Sequence, residues 1–249
     1  MSFKGHSKTG MSLVVMLVFV FSLVVPVMPT AEMAQMGSEL TKNPDDILEL
    51  KINQQSKESS EEMESFETEP MISAGGGHSL ALKDNGTVWA WGSNFNGQLG
   101  NGTNENEAAP IEVSSLTNVV EVSAAWDHSM ALKEDGTVWS WGRNNKGQLG
   151  DNTTENRNEP VQVKNLENVV SIKTNQDHCL AAKENGTVWA WGANDSGQLG
   201  DGTTEERHAP VQVKGPDEDG YLEEVIEVKS GASHSMALKE DGTVWAWGG

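Results

Sequence analysis

The sequence predicts an all-β fold, a β-propeller of four-stranded blades, of which it supplies about three and a half, an incomplete ring. Three observations predict it. First, the chain repeats every fifty residues: His78, His128, His178 and His234 open the near-copies HSLALKDNGTVWAWG, HSMALKEDGTVWSWG, HCLAAKENGTVWAWG and HSMALKEDGTVWAWG. Second, each copy alternates side chains along a short run, turns at Asp-Gly or Asn-Gly, and returns through a tryptophan-bearing run. Third, four such short runs and no helical period fill each unit, the pattern of one antiparallel blade.

The elements follow in order. Three full units (71–120, 121–170, 171–226) and a partial fourth (227–249) make up the repeat region, 71–249. In the second unit NVVEVSA at 118–124 and HSMALK at 128–133 read as strands. Glu134, Asp135 and Gly136 turn the chain, the glycine supplying positive φ. TVWSWG at 137–142 returns with Trp139 and Trp141 on one face. A glycine loop follows, GQLG at 97–100, 147–150 and 197–200 in the three full copies. PVQV at 160–163 reads as a fourth strand opened by its proline, suited to an edge.

Ahead of the repeats, residues 1–31 have the order of an export signal. Lys4, His6 and Lys8 precede the apolar run MSLVVMLVFVFSLVVPVM at 11–28, and Pro29, Thr30 and Ala31 follow. Two outcomes stand: cleavage and secretion, or retention as a membrane anchor, since eighteen residues make roughly 27 Å of helix. Either puts the repeats in a secreted or cell-surface location. Residues 32–70 read as an acidic disordered linker, rich in Ser, Gln and Glu and poor in apolar side chains to offset chain entropy.

Composition excludes several function classes. The formal net charge of −20 repels phosphate backbones, so no nucleic-acid partner is expected. One cysteine, Cys179, rules out an internal disulfide framework and a CxxC metal site. It stands where the other copies have Ser79, Ser129 and Ser235, which makes it a small buried side chain. His178 beside it points to the opposite face of a strand, so the two form no catalytic pair. A catalytic site needs unlike residues converging on one place, whereas here each notable residue recurs in equivalent surroundings. The chain therefore reads as non-enzymatic, with no cofactor and no metal.

The recurring residues read as scaffold. The loop glycines provide positive φ or close backbone approach, since no helix or basic residue follows to make a phosphate loop. One histidine per blade reads as a hydrogen-bonding strut between strands or blades. The pairs Trp89/Trp91, Trp139/Trp141, Trp189/Trp191 and Trp245/Trp247 read as blade-to-blade packing. A six-residue insertion in the third unit, around GPDEDGYLEE at 215–224, reads as an acidic surface loop. Its Gly220 comes too early for a calcium loop of the EF-hand kind.

Taken together, the histidine strand, the Asp/Asn-Gly turn, TVWxWG, xNxxGQLG and the later proline strand resemble the repeats of the regulator of chromosome condensation family, across essentially all of 71–249. The resemblance implies a seven-bladed β-propeller, which needs about twice the repeat length present here. Two expectations remain open: a fragment of a longer protein, or an arc that closes its ring with a second chain as a homodimer. The founding member of the family is an exchange factor for a small GTPase. That role is the alternative expectation for this chain, and the export signal and acidic surface argue against it.

Binding residues are expected where the copies differ. The tip after the tryptophan strand reads Phe95-Asn96, Asn145-Lys146 and Asp195-Ser196, and the stretch before the histidine reads AGGG, AAWD, TNQD and SGAS. Phe95, Trp126, Arg157, Arg207, His208 and Tyr221 are the partner-binding candidates, because aromatic and arginine side chains dominate interface hot spots. The expected function is an exported scaffold that binds a protein partner, or a surface glycan, through its blade loops. A membrane contact enters only through an uncleaved N-terminal segment.

Overall fold

Alternation decides how each blade is built. In the central hairpin of the second blade, Ser129 faces Trp141 and Ala131 faces Trp139 across the strands, while Met130 faces Ser140 and Leu132 faces Val138. One face therefore pairs small residues with large indoles, and the other stacks His128, Met130 and Leu132 with Val138. The first and third blades keep the same register, with Ser79↔Trp91 and Cys179↔Trp191. A sheet with two apolar faces must be covered on both, so blades stack side by side.

The computed structural model describes residues 66–215 and 220–249. The first blade is β1 (Met71–Ala74), β2 (His78–Leu82), β3 (Val88–Gly92) and β4 (Glu107–Glu112). The second is β5 (Val119–Ala124), β6 (His128–Lys133), β7 (Val138–Gly142) and β8 (Arg157–Gln162). The third is β9 (Val169–Thr174), β10 (His178–Lys183), β11 (Val188–Gly192) and β12 (Arg207–Gln212). The last has three strands, β13 (Val225–Ser230), β14 (His234–Lys239) and β15 (Val244–Gly248). Each sheet is an antiparallel meander in chain order. The expected propeller arc of three full blades and a partial fourth is present. The export signal at 1–31, the linker up to residue 65 and residues 216–219 of the insertion lie outside the described residues. Residues 66–70 run beside the first blade, where Thr68 N donates to Asp84 O.

Three apolar cores lie between the blades. Leu80, Leu82 and Val88 of the first blade meet Ala131 and Trp141 of the second. Met130, Leu132 and Val138 meet Cys179, Ala181 and Trp191. Leu180, Ala182 and Val188 meet Ala237, with Trp245 and Trp247 packed alongside. Each fully buried indole contributes roughly 4–6 kcal/mol of gross transfer free energy. The tryptophan pairs divide their work. Trp141 and Trp191 are fully buried between blades. Trp89, Trp139 and Trp189 are half-buried, and each donates to the threonine two residues before it.

The first strands stand next to one another, and side chains tie them together. Ser73 Oγ accepts from Ala124 N at 2.9 Å, and Ser123 Oγ accepts from Thr174 N at 3.2 Å. Glu121 accepts from Ile172 N at 3.0 Å and also holds Lys173 Nζ.

The fourth strand corrects one expectation. It opens at Glu107, Arg157 or Arg207, three residues before the proline that was expected to start it. The ladder slips at this point: Ser140 pairs with Val161, and Gly142 already pairs with Arg157. Pro160 sits inside that bulge, where no ladder donor is required, on the edge strand of the sheet.

Candidate functional site

Antiparallel meanders send every loop after a first or third strand to one end of the arc, called here the loop face. The hairpins between second and third strands, and the links between blades, emerge at the other end. What holds the loop face in shape is a relay of buried polar groups that repeats at each blade junction. His78 Nε2 lies 2.8 Å from Ser129 Oγ, which donates to Gln98 O at 2.8 Å. Trp141 Nε1 donates to the same carbonyl at 2.8 Å. The third junction repeats this with His178, Ser235, Gln198 and Trp247. The expected histidine strut is therefore present at these junctions and runs between blades, whereas His234 of the last sheet is exposed and its side chain bonds no neighbouring blade among the described residues. Because the serine hydroxyl gives its proton to the carbonyl, it accepts from His Nε2–H, and the burial of each ring favours the neutral imidazole. Burial holds His78 and His178 down to about 4 and His128 to about 3.

The middle junction differs. His128 Nε2 reaches Thr174 Oγ1 at 2.8 Å and Cys179 Sγ at 3.2 Å, and the thiol lies 3.3 Å from Gln148 O. His178 and Cys179 point to opposite faces, as their adjacency predicts. The histidine that does meet the thiol comes from the neighbouring blade. Burial pushes the Cys179 thiol up to about 12, so it is no thiolate nucleophile.

A buried asparagine shapes each loop from within. Asn94 Oδ1 accepts from Leu99 N, and its amide donates to Asn101 Oδ1 and Thr103 O. Asn144 and Asn194 do the same with Asp151 and Asp201. The glycines permit the close approach expected of them. At Gly100, φ is 71°, and an added Cβ would stand 2.8 Å from Trp141 Nε1.

Five of the six candidates come to the loop face. Phe95 sits at the tip after β3 and is exposed. Trp126 lies between β5 and β6 and is 60% exposed. Arg157, Arg207 and His208 open β8 and β12. Tyr221 lies on the link between β12 and β13, at the opposite end, where it bridges to Lys214. The two arginines are engaged inside their own loops. Arg157 meets Asp151 at 2.9 Å, and Arg207 meets Asp201 at 2.6 Å. Burial pushes the Asp151 and Asp201 carboxyls up, but the hydrogen bonds from Thr153 and Arg157, and from Thr203 and Arg207, outweigh it and hold both below the usual range. His208 packs against Gly147 and accepts from Asn152 N through its carbonyl. Phe95 and Trp126 are thus the candidates whose side chains remain presented outward on this face.

Sequence reasoning missed three sets of residues here. The loop asparagines and the Gln98, Gln148 and Gln198 carbonyls recur in every full copy, which was the available signal. The Asp–Arg pairing was also visible, because Arg157 and Arg207 occur only in copies with Asp151 or Asp201, and the first copy has Asn101 and Glu107. The third set is a charged seam between loops: Arg143 lies 3.6 Å from Asp127 and 3.9 Å from Asp177, and Lys146 pairs with Glu206. Among the described residues no group of three or more His, Cys, Asp or Glu side chains is placed to hold a metal ion.

The family model of the RCC1-like domain matches residues 30–249. No curated protein matches the sequence. Among solved structures, human WBSCR16 is 26% identical with a TM-score of 0.63, covering 72% of this chain and 47% of its own. Yeast RCC1 (Prp20), solved bound to Kap60, is 24% identical with a TM-score of 0.61, covering 72% and 43%. Prp20p from Saccharomyces cerevisiae, described with its binding to Gsp1p and histones, is 24% identical with a TM-score of 0.58, covering 72% and 44%. The chain spans less than half the length of each. At this identity the yeast structures speak for the fold alone.

Proposed function

This chain belongs to the RCC1-like domain family, and from that premise we propose that it is a protein-binding scaffold whose partner docks on the loop face. One observation carries the reading: the tips after the tryptophan strands and the stretches before the histidines, which vary between copies, share one end, over junctions that all close on the same main-chain acceptor, Gln98, Gln148 or Gln198 O. A rigid frame with variable loops is a common way to present a binding surface. Phe95, exposed at the tip after β3, is its first aromatic anchor, and Arg143 and Lys146 carry charge on the same loop face between the second and third blades. The order of residues 1–31 supports an exported location, secreted or held at the cell surface.

The test is a photo-crosslinking side chain placed at Phe95 and, separately, at Glu134 on the opposite hairpin, in the cell that makes the protein. Adducts with one protein, formed from Phe95 and absent from Glu134, and rebuilt with purified partner, support the proposal. Equal or absent crosslinking from both overturns it. A second reading, regulation of a small GTPase, is favoured by the fold likeness to yeast RCC1. Recovery of the full chain in the cytosol would advance it; recovery outside the cytoplasm would end it.

A further inference from the structure

We propose that the groove at the loop-face end of β1, β5 and β9 binds a neutral saccharide stacked on Trp126. The groove has a volume of about 430 Å³, within the range of small-molecule sites. Ser73, Gly76, Ser123, Trp126 and Asn175 are among the residues that line it, and no lining residue carries a charge. In a chain of net charge −20, a groove without lysine or arginine does not favour an anion. A groove without a carboxylate offers a cation no counter-charge. A neutral polar ligand remains.

The unused hydrogen-bonding capacity fits hydroxyl groups. Ser73 and Ser123 already accept backbone N–H bonds, so each hydroxyl keeps its proton to donate. The Asn175 amide nitrogen donates to Ser230 O, which leaves its Oδ1 to accept. Trp126 supplies a flat apolar surface against which the C–H face of a sugar ring packs by dispersion. Its position is fixed in advance. Trp126 N donates to Asn175 O at 2.8 Å, and Trp126 O accepts from Gly76 N at 3.2 Å. An added Cβ at Gly76 would stand 3.1 Å from the indole Cγ, so the ring rests on bare backbone. The other copies have Gly76, Gln176 and Ala232 where this one has Trp126, which makes the site unique within the described arc. It is separate from the Phe95 rim and does not depend on a protein partner there.

The test is calorimetric titration of the full chain, held in detergent, with chitotriose, cellotriose, maltotriose and xylotriose. At least one should saturate. Trp126→Ala should weaken that sugar by about tenfold or more, and Asn175→Ala by about threefold. Trp126→Tyr should recover most of the affinity. Phe95→Ala should leave sugar binding unchanged even where it abolishes partner crosslinking, which separates the two readings. If Trp126→Ala fails to melt cooperatively, the Asn175→Ala and Trp126→Tyr variants decide. Saturation by none of the four sugars, or binding indifferent to Trp126 and Asn175, overturns the proposal, as does binding of neutral peptides in place of sugars.

Discussion

Residues 128–139 and 234–245 carry the same twelve side chains, HSMALKEDGTVW, in blades two and four, and they live differently. In β6 every position from His128 to Leu132 is buried. In β14 only Ser235 and Ala237 are, and His234 and Met236 lie open. Met130 is 0% exposed and Met236 37%, while Val138 is 0% and Val244 63%. The face towards the preceding blade is covered in both copies. The face towards the following blade is covered only where the third blade stands against it. Identical strands thus acquire two halves of a burial pattern from two neighbours, which is how stability accrues in repeat proteins.

Acid is the largest expected way to break the covered junctions. His78, His128 and His178 are held near 4, 3 and 4 by burial. The unfolded chain takes up those protons below about pH 6.5, and the folded chain does not until about pH 4. Stability is therefore fully present above about pH 6.5 and falls as pH drops towards 4, by up to about 4 kcal/mol per pH unit. Urea midpoints across this range measure it, and His128→Asn should flatten the slope. A midpoint constant from pH 7 to 5 would contradict neutral buried imidazoles.

Truncating the shared methionine sharpens the comparison directly. Met130→Ala should cost about 2–5 kcal/mol and Met236→Ala less than about 1. Equal losses in denaturant unfolding would mean that something covers the fourth blade in solution. Serine gives the next contrast. Ser129→Ala removes the partner of His78 and one donor to Gln98 O, for about 1–3 kcal/mol, whereas Ser79→Ala should stay within about 0.5 kcal/mol. The smallest effect is expected in the loops. Asp151→Asn should cost no more than about 1 kcal/mol in thermal melts, because Asn101 fills the equivalent place in the first copy and receives the Asn94 amide as Asp151 receives that of Asn144.

Much of this was legible beforehand because the recurring residues are side chains with one dominant task. Four histidines at fixed places announced a strut, and Asp-Gly and Asn-Gly announced hairpins. The acceptor that completes each junction was not legible, because it is a main-chain carbonyl and any residue owns one. The contact of His128 with Cys179 was hidden for a related reason: fifty residues separate them, and only the docking of blades joins them. The variable positions brought five of the six candidates to one end, the loop face. Tyr221 was the exception, since strand direction rather than sequence difference fixes which end a link occupies. Arg157 and Arg207 looked available because charge on a loop reads as surface, yet each has a carboxylate six residues earlier to hold it.

The sequence alone determined the blade: the period, the turn chemistry, the alternation that puts indoles against small residues, and the residues that break the symmetry. Alternation is a local property, set by successive side chains leaving a strand on opposite faces. Tertiary structure alone decided which faces are buried, which histidine meets the thiol, and that Trp126 overlooks a neutral groove shared by three blades. Those outcomes depend on which blade stands alongside, and two copies of one sequence, Met130 in one setting and Met236 in another, carry no local mark of the difference.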